Sequence, residues 1–140
     1  MKQLLTTLLT LISLTCLAQP TYIDLTIQLD NYPGETSWEI IKTQDSTLVI
    51  SSPSYVGVAP GTLVEQRVFL EAGIDYTFTI TDTFGDGICC DYGEGFFLSA
   101  NNCEGVIFED YEFGSTAVSY DFNLLPCELP PTIVTGKPSP

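Results

Sequence analysis

The chain has 140 residues, 44% hydrophobic and 16% charged, which is long enough for one domain with a sizeable core and too apolar for a disordered acidic tail. A formal net charge of -14, with 4 basic residues against 18 acidic ones, excludes nucleic acid and anionic membrane surfaces as natural partners and favours a cation or a basic partner. There is no histidine, which removes Ser-His-Asp and Cys-His nucleophile chemistry and the usual zinc sites, and leaves only carboxylate-pair chemistry among the common hydrolytic devices.

Residues 1–18 read as a secretory signal peptide. Lys2 provides the positive start, an apolar run follows from Leu4 to Leu17, and Cys16 and Ala18 place small residues where a signal peptidase reads. The run is too short to span a bilayer, and no second apolar segment follows. A lipoprotein reading at Cys16 lacks the expected leucine at position 13, which is Ser13, and a Gly or Ala at position 15, which is Thr15. The mature chain is expected to begin near Gln19 and to work outside the cell or on its surface.

From there the pattern alternates with period two. Ile23, Leu25, Ile27 and Leu29 face one side of a first strand, with Asp24, Thr26 and Gln28 on the other. A turn at residues 31–34 leads to strands over 37–43 and 47–51, joined as a hairpin through residues 44–46. Residues 52–61, with Pro53, Gly57, Pro60 and Gly61, form a long surface connection to a strand over 63–70. The next strand, over 75–81, sets Tyr76, Phe78 and Ile80 against Thr77, Thr79 and Thr81. Strands over 96–100, 105–109 and 116–124 complete a set of about eight with no helical periodicity outside the leader. Such spacing predicts an all-β fold, an antiparallel β-sandwich of jelly-roll or Greek-key type, over residues 19–125. Residues 126–140 hold Pro126, Pro130, Pro131, Pro138 and Pro140 and read as a linker or tail, with further domains expected beyond Pro140.

The chemistry concentrates between the fifth and sixth strands. Residues 82–95 hold Asp82, Asp86, Asp91 and Glu94 together with Gly85, Gly87, Gly93 and Gly95. The glycines permit tight turns with positive φ, and carboxylates are the hard oxygen donors that Ca²⁺ gathers in groups of six to eight. Acids this crowded repel unless a cation or water screens them, and only Arg67 interrupts the absence of basic residues between Lys42 and Lys137. An EF-hand does not fit, because Phe84 and Gly93 stand where its third ligand and its bidentate Glu belong. The expected calcium ligands are Asp82 and Asp86, with Asp91, Asp30 and Glu35 as further candidates. The last two flank the first turn, which in a sandwich can lie beside the loop after strand five. The competing reading is a glycine-rich, solvated acidic loop. For a second acidic group, Glu109, Asp110 and Glu112, a glycosidase reading requires two carboxylates facing each other across a cleft, a condition that acids in solvated loops rarely meet.

Four cysteines remain outside the leader, Cys89, Cys90, Cys103 and Cys127, and an even number in an exported chain predicts two disulfides. Neighbouring residues on an extended chain point opposite ways, so Cys89 and Cys90 are expected to reach different partners. The favoured pairing is Cys90 with Cys103 and Cys89 with Cys127. Trp38, Tyr76, Phe78 and Phe97 are expected in the core. Tyr32, Tyr55, Tyr92 and Tyr111 fall in turns, where they either pack locally or stand ready to stack on a sugar.

The run Asp82, Phe84, Gly85, Asp86, Gly87, Ile88, Cys89, Cys90, Tyr92, Gly93, Gly95 and Phe97 resembles a module found in secreted and cell-surface multidomain bacterial proteins, many of which carry type IX secretion sorting domains. Residues 30–39 and 112–115 match the start and end of the same module, so the resemblance covers about residues 22–125. One departure is visible: relatives often carry a cysteine where this chain reads Ala72, Gly73, Ile74 and Asp75. The resemblance implies a non-catalytic β-sandwich used for accessory or adhesive purposes. The rival expectations are a carbohydrate- or protein-binding module that uses loop tyrosines, and an enzyme acting through acidic residues.

Overall fold

The computed structural model describes residues 21–88, 97–111, 113–114 and 116–126, residues 97–99 for their backbone only. The leader, the 126–140 tail beyond Pro126, Asp91, Tyr92, Cys89, Cys90 and Cys127 therefore lie outside the described residues, as does the proposed cysteine pairing; Cys103 is disulfide-bonded. Among the described residues eight strands form: β1 (Thr21–Gln28), β2 (Thr36–Lys42), β3 (Thr47–Ser51), β4 (Leu63–Leu70), β5 (Asp75–Asp82), β6 (Phe97–Asn102), β7 (Gly105–Asp110) and β8 (Ala117–Asn123). A short 3-10 turn, Pro33–Glu35, precedes β2. Among the described residues no helix is long and apolar enough to cross a membrane.

The strands form two four-stranded antiparallel sheets, ordered β4-β1-β6-β7 and β3-β2-β5-β8, as an antiparallel β-sandwich requires. Strict alternation explains the core. In β1, Ile23, Leu25 and Ile27 point inward, and in β5 Tyr76, Phe78 and Ile80 do the same. Within one sheet Trp38 stacks on Phe78 at 5.9 Å and Tyr76 on Phe122 at 5.7 Å, and Phe78 meets Phe108 of the facing sheet at 5.2 Å. The outward residues of β5 and β8 form a hydroxyl and carboxylate ladder, with Thr79 beside Ser119 at 2.9 Å and Thr77 donating to Asp121 at 2.7 Å.

Among these eight strands only β2–β3 and β6–β7 are hairpins between sequence neighbours of one sheet; the other connections cross between sheets. The registers place the described parts of four of those connections, residues 29–35, 52–62, 83–88 and Tyr111, Phe113, Gly114 and Thr116, at the same end of the sandwich. Backbone hydrogen bonds lace them together. Leu29 N donates to Thr62 O at 2.9 Å, Gly61 N to Asp30 O at 3.0 Å, Thr83 N to Glu35 O at 3.0 Å, and Ile88 N to Phe113 O at 3.1 Å.

One turn tyrosine leaves the surface. Tyr55 is only 4% exposed, and its hydroxyl accepts a 2.8 Å hydrogen bond from Trp38 Nε1. Local packing is therefore its role, because an indole N–H in a core must find an acceptor. Tyr55→Phe keeps the ring and strands that donor, so it is expected to lower stability by roughly 1–2 kcal/mol in urea unfolding with an unchanged m value. A midpoint equal to wild type would show that the bond contributes nothing net.

Candidate metal centre

The loop end gathers acids from both sheets. Asp82 closes β5 in phase with Tyr76, Phe78 and Ile80, so the alternation that buries those residues turns its carboxylate inward as well, at 1% exposure. Across the ladder its register partner is Thr36, the first residue of β2, which lies on the inner face with Trp38 and Ile40. Asp30 comes from the loop after β1 and is 5% exposed. Glu35 comes from the 3-10 turn and is half-buried, and Asp86 comes from the loop after β5 and is exposed. Carboxylate oxygens of Glu35, Asp82 and Asp86 lie within 4.8 Å of one another. Of the five candidate ligands, these three converge. Asp30 is close enough for the charges of Asp82 and Asp86 to act on it, and Asp91 falls outside the described residues.

The loop is shaped around Asp82. Its two carboxylate oxygens accept from Phe84 N, at 2.9 Å, and from Gly87 N, while Asp82 N donates to Thr116 O at 2.8 Å. Gly87 has φ +79 and packs so tightly on the 113–114 segment that a Cβ there would fall 2.4 Å from Phe113 O and 2.5 Å from Gly114 Cα. No side chain fits. Beneath the loop, Ile88 and Phe113 are buried in the core.

Charge at this end is uncompensated. Both described basic side chains are engaged elsewhere: Arg67 holds Asp24 in a bidentate pair at 2.7 Å on the outer face of β1 and β4, and Lys42 lies 3.8 Å from Glu71 at the opposite end of β2. Burial pushes the Asp30 carboxyl above the ordinary carboxylate range, the N–H of Tyr32 pulls part of the way back, and the charges of Asp82 and Asp86 push it up again. Glu35 is raised by desolvation and by Asp82, Asp86 and Asp30. One further oxygen points to a missing partner. Thr36 is 3% exposed, and its Oγ1 is buried with no hydrogen-bond partner among the described residues. Buried hydroxyls are almost always paired, and this one sits at the register position opposite Asp82, on the same inner face. Sequence reading missed Thr36, although its in-phase position before Trp38 and Ile40 was the available signal.

These shifts have a pH consequence. Asp30 and Glu35 hold protons more tightly in the folded, metal-free protein than in the unfolded chain. Their protonation therefore stabilises the fold at low pH, and that stability is lost as pH rises through the raised folded values. Metal-stripped protein is expected to melt higher as pH falls from neutral toward the ordinary carboxylate range, and Asp30→Asn to flatten that dependence. With calcium bound the sign reverses, because the ion favours ionised carboxylates and acid displaces it. Melting curves across that range, with and without calcium, check both signs.

The second acidic group is differently made. Tyr120 donates to Asp110 and Tyr111 donates to Glu109 at 3.1 Å, while Glu112 lies outside the described residues. Burial and the Asp110 carboxylate raise the Tyr120 hydroxyl far above its ordinary value, so it remains a proton donor to Asp110. Compared with protein-family models, with curated proteins and with solved structures, the chain has no significant match.

Proposed function

We propose that this chain is a secreted, non-catalytic β-sandwich module with an accessory or adhesive role, whose loop end is locked by a calcium ion. Asp30, Glu35, Asp82 and Asp86 would hold the ion, Thr36 Oγ1 would reach it or a water bound to it, and further oxygens would come from loop carbonyls and solvent. The observation that carries the reading is the convergence of three carboxylates within 4.8 Å beside a buried, unpartnered hydroxyl, with no basic side chain among the described residues to balance them. Calcium suits an irregular set of loop oxygens better than magnesium, which demands near-octahedral geometry and gives up its waters reluctantly. The ion would supply charge neutralisation and a cross-link between loops of both sheets. The apolar leader supports export, and the motif of residues 82–97 supports a place among surface modules of type IX-secreted proteins. Titration calorimetry of metal-stripped, oxidised protein tests the site. One calcium ion per chain, bound far more tightly than magnesium and lost in Asp82→Asn, is the expected result. Heat no greater than that of dilution would leave an acidic loop screened by water.

A further inference from the structure

Directly above the carboxylates lies an open cleft of about 240 Å³, lined by Tyr32, Glu35, Phe84 and Asp86. Tyr32 is 53% exposed and Phe84 78% exposed, whereas Phe78, Phe113 and Phe122 are buried. The backbone beneath each ring is bonded to a buried acid. Tyr32 N donates to Asp30 Oδ1 at 2.8 Å, and Phe84 N donates to Asp82 Oδ1 at 2.9 Å. Asp82 thus belongs to the converging carboxylates and, with the neighbouring Asp30, fixes the backbone beneath the cleft's aromatic residues. Asp86 is exposed and Glu35 half-buried, so the side of the centre toward the cleft is the side open to solvent.

We infer that this cleft is a calcium-dependent binding site for a neutral sugar, an inference that rests on the calcium reading above and names its ligand. Two features select the ligand class. The first is charge. Four carboxylates around one divalent ion leave a residual charge of about -2 in a chain of formal charge -14, so phosphate, sulfate and carboxylate ligands meet repulsion. Hydroxyl groups meet none, and a vicinal pair would offer a bound ion neutral oxygen donors of the same kind as water. The second is the pairing of donors with rings. A pyranose has one rim of hydroxyls and one face of C–H groups, which match the carboxylate-lined floor and the walls formed by Tyr32 and Phe84. The buried Thr36 hydroxyl, unpartnered on the register position of Asp82, is the independent sign that the centre is built to hold something.

The test uses the full disulfide-bonded chain. Calcium binding is measured first by calorimetry, for wild type, Tyr32→Ala and Phe84→Ala. Retardation in native gels containing mannan, galactan, xylan or β-glucan is then measured in calcium and in chelator, beside sedimentation with phosphatidylserine vesicles. The expected result is retardation by at least one neutral polysaccharide in calcium, weakened about tenfold or more in chelator and in Phe84→Ala, while both ring variants keep calcium affinity within about threefold. Normal calcium binding with no retardation in any polysaccharide overturns the inference and leaves the calcium centre standing, as does capture by the anionic vesicles alone. Retardation that persists in chelator and in Phe84→Ala places any sugar elsewhere and overturns it too. No calcium binding at all removes the centre and this inference together.

Discussion

Gly87→Ala is expected to destabilise the module by about 2–5 kcal/mol. Two costs combine there. A left-handed backbone costs a residue with a Cβ about 1–2 kcal/mol, and Gly87 sits at φ +79. The new methyl also collides with backbone, 2.4 Å from Phe113 O and 2.5 Å from Gly114 Cα, and relieving such overpacking costs about 1–3 kcal/mol. Backbone cannot rotate away as a side-chain tip can, so the loop must lift from the 113–114 segment. That movement breaks the Gly87 N to Asp82 and Ile88 N to Phe113 O hydrogen bonds and exposes Ile88. Gly73→Ala is the matched control, with φ +75 and open space around its Cβ position; it carries the dihedral cost alone. Chemical unfolding of the two variants separates the effects. If both lose the same amount, the contact with residues 113 and 114 is not tight. Gly87→Ala should also weaken calcium binding, because the loop it displaces carries Asp86 and orients Asp82.

Calcium itself is expected to produce the second large effect, raising the melting temperature of metal-stripped, oxidised protein by roughly 10–20 °C. Binding to the folded state alone stabilises by RT ln(1 + [L]/Kd), about 2.7 kcal/mol at a hundredfold excess over Kd. Each kcal/mol moves the midpoint of a domain of about 100 residues by about 4–8 °C. The proposed source is structural: a bound ion would relieve repulsion among Glu35, Asp82, Asp86 and the nearby Asp30, and would cross-link loops of both sheets. Asp86→Ala removes an exposed candidate ligand without opening the core, so it should leave the metal-stripped melt nearly unchanged and abolish most of the calcium-dependent shift. Glu65→Gln, an exposed acid on β4, should keep the full shift. Equal melting temperatures in calcium and chelator would leave the acids as a solvated loop.

Much of the architecture is legible in the order of residues, because alternation is a local property. A pleated strand sends successive side chains to opposite faces, so Ile23, Leu25 and Ile27, or Tyr76, Phe78 and Ile80, declare both strand and buried face. All eight strands stand within about a residue or two of their expected places. The same rule assigns Asp82 an inward carboxylate and Thr36 an inward hydroxyl, since each lies in phase with the core residues of its strand.

Partner choice is different, because it depends on contacts between residues far apart in the chain. Nothing local to β1 requires β4 on one side and β6 on the other, or brings residues 29–35, 52–62 and 83–88 to one end with Phe113 and Gly114. Asp30 shows the limit most clearly. Alternation from Leu29 would send it to solvent, yet it is buried, because the chain leaves β1 at that point and the 52–62 loop pairs with it through Gly61. Tyr55 is buried for the same reason, with the indole of Trp38 waiting 17 positions away. Composition and alternation alone establish an eight-stranded, all-β, acidic protein with a glycine-rich carboxylate loop. The meeting of Glu35, Asp82 and Asp86, with a buried Asp30, an unpartnered Thr36 and two exposed rings around them, comes from the folded topology, because it is set where the chain crosses between two sheets.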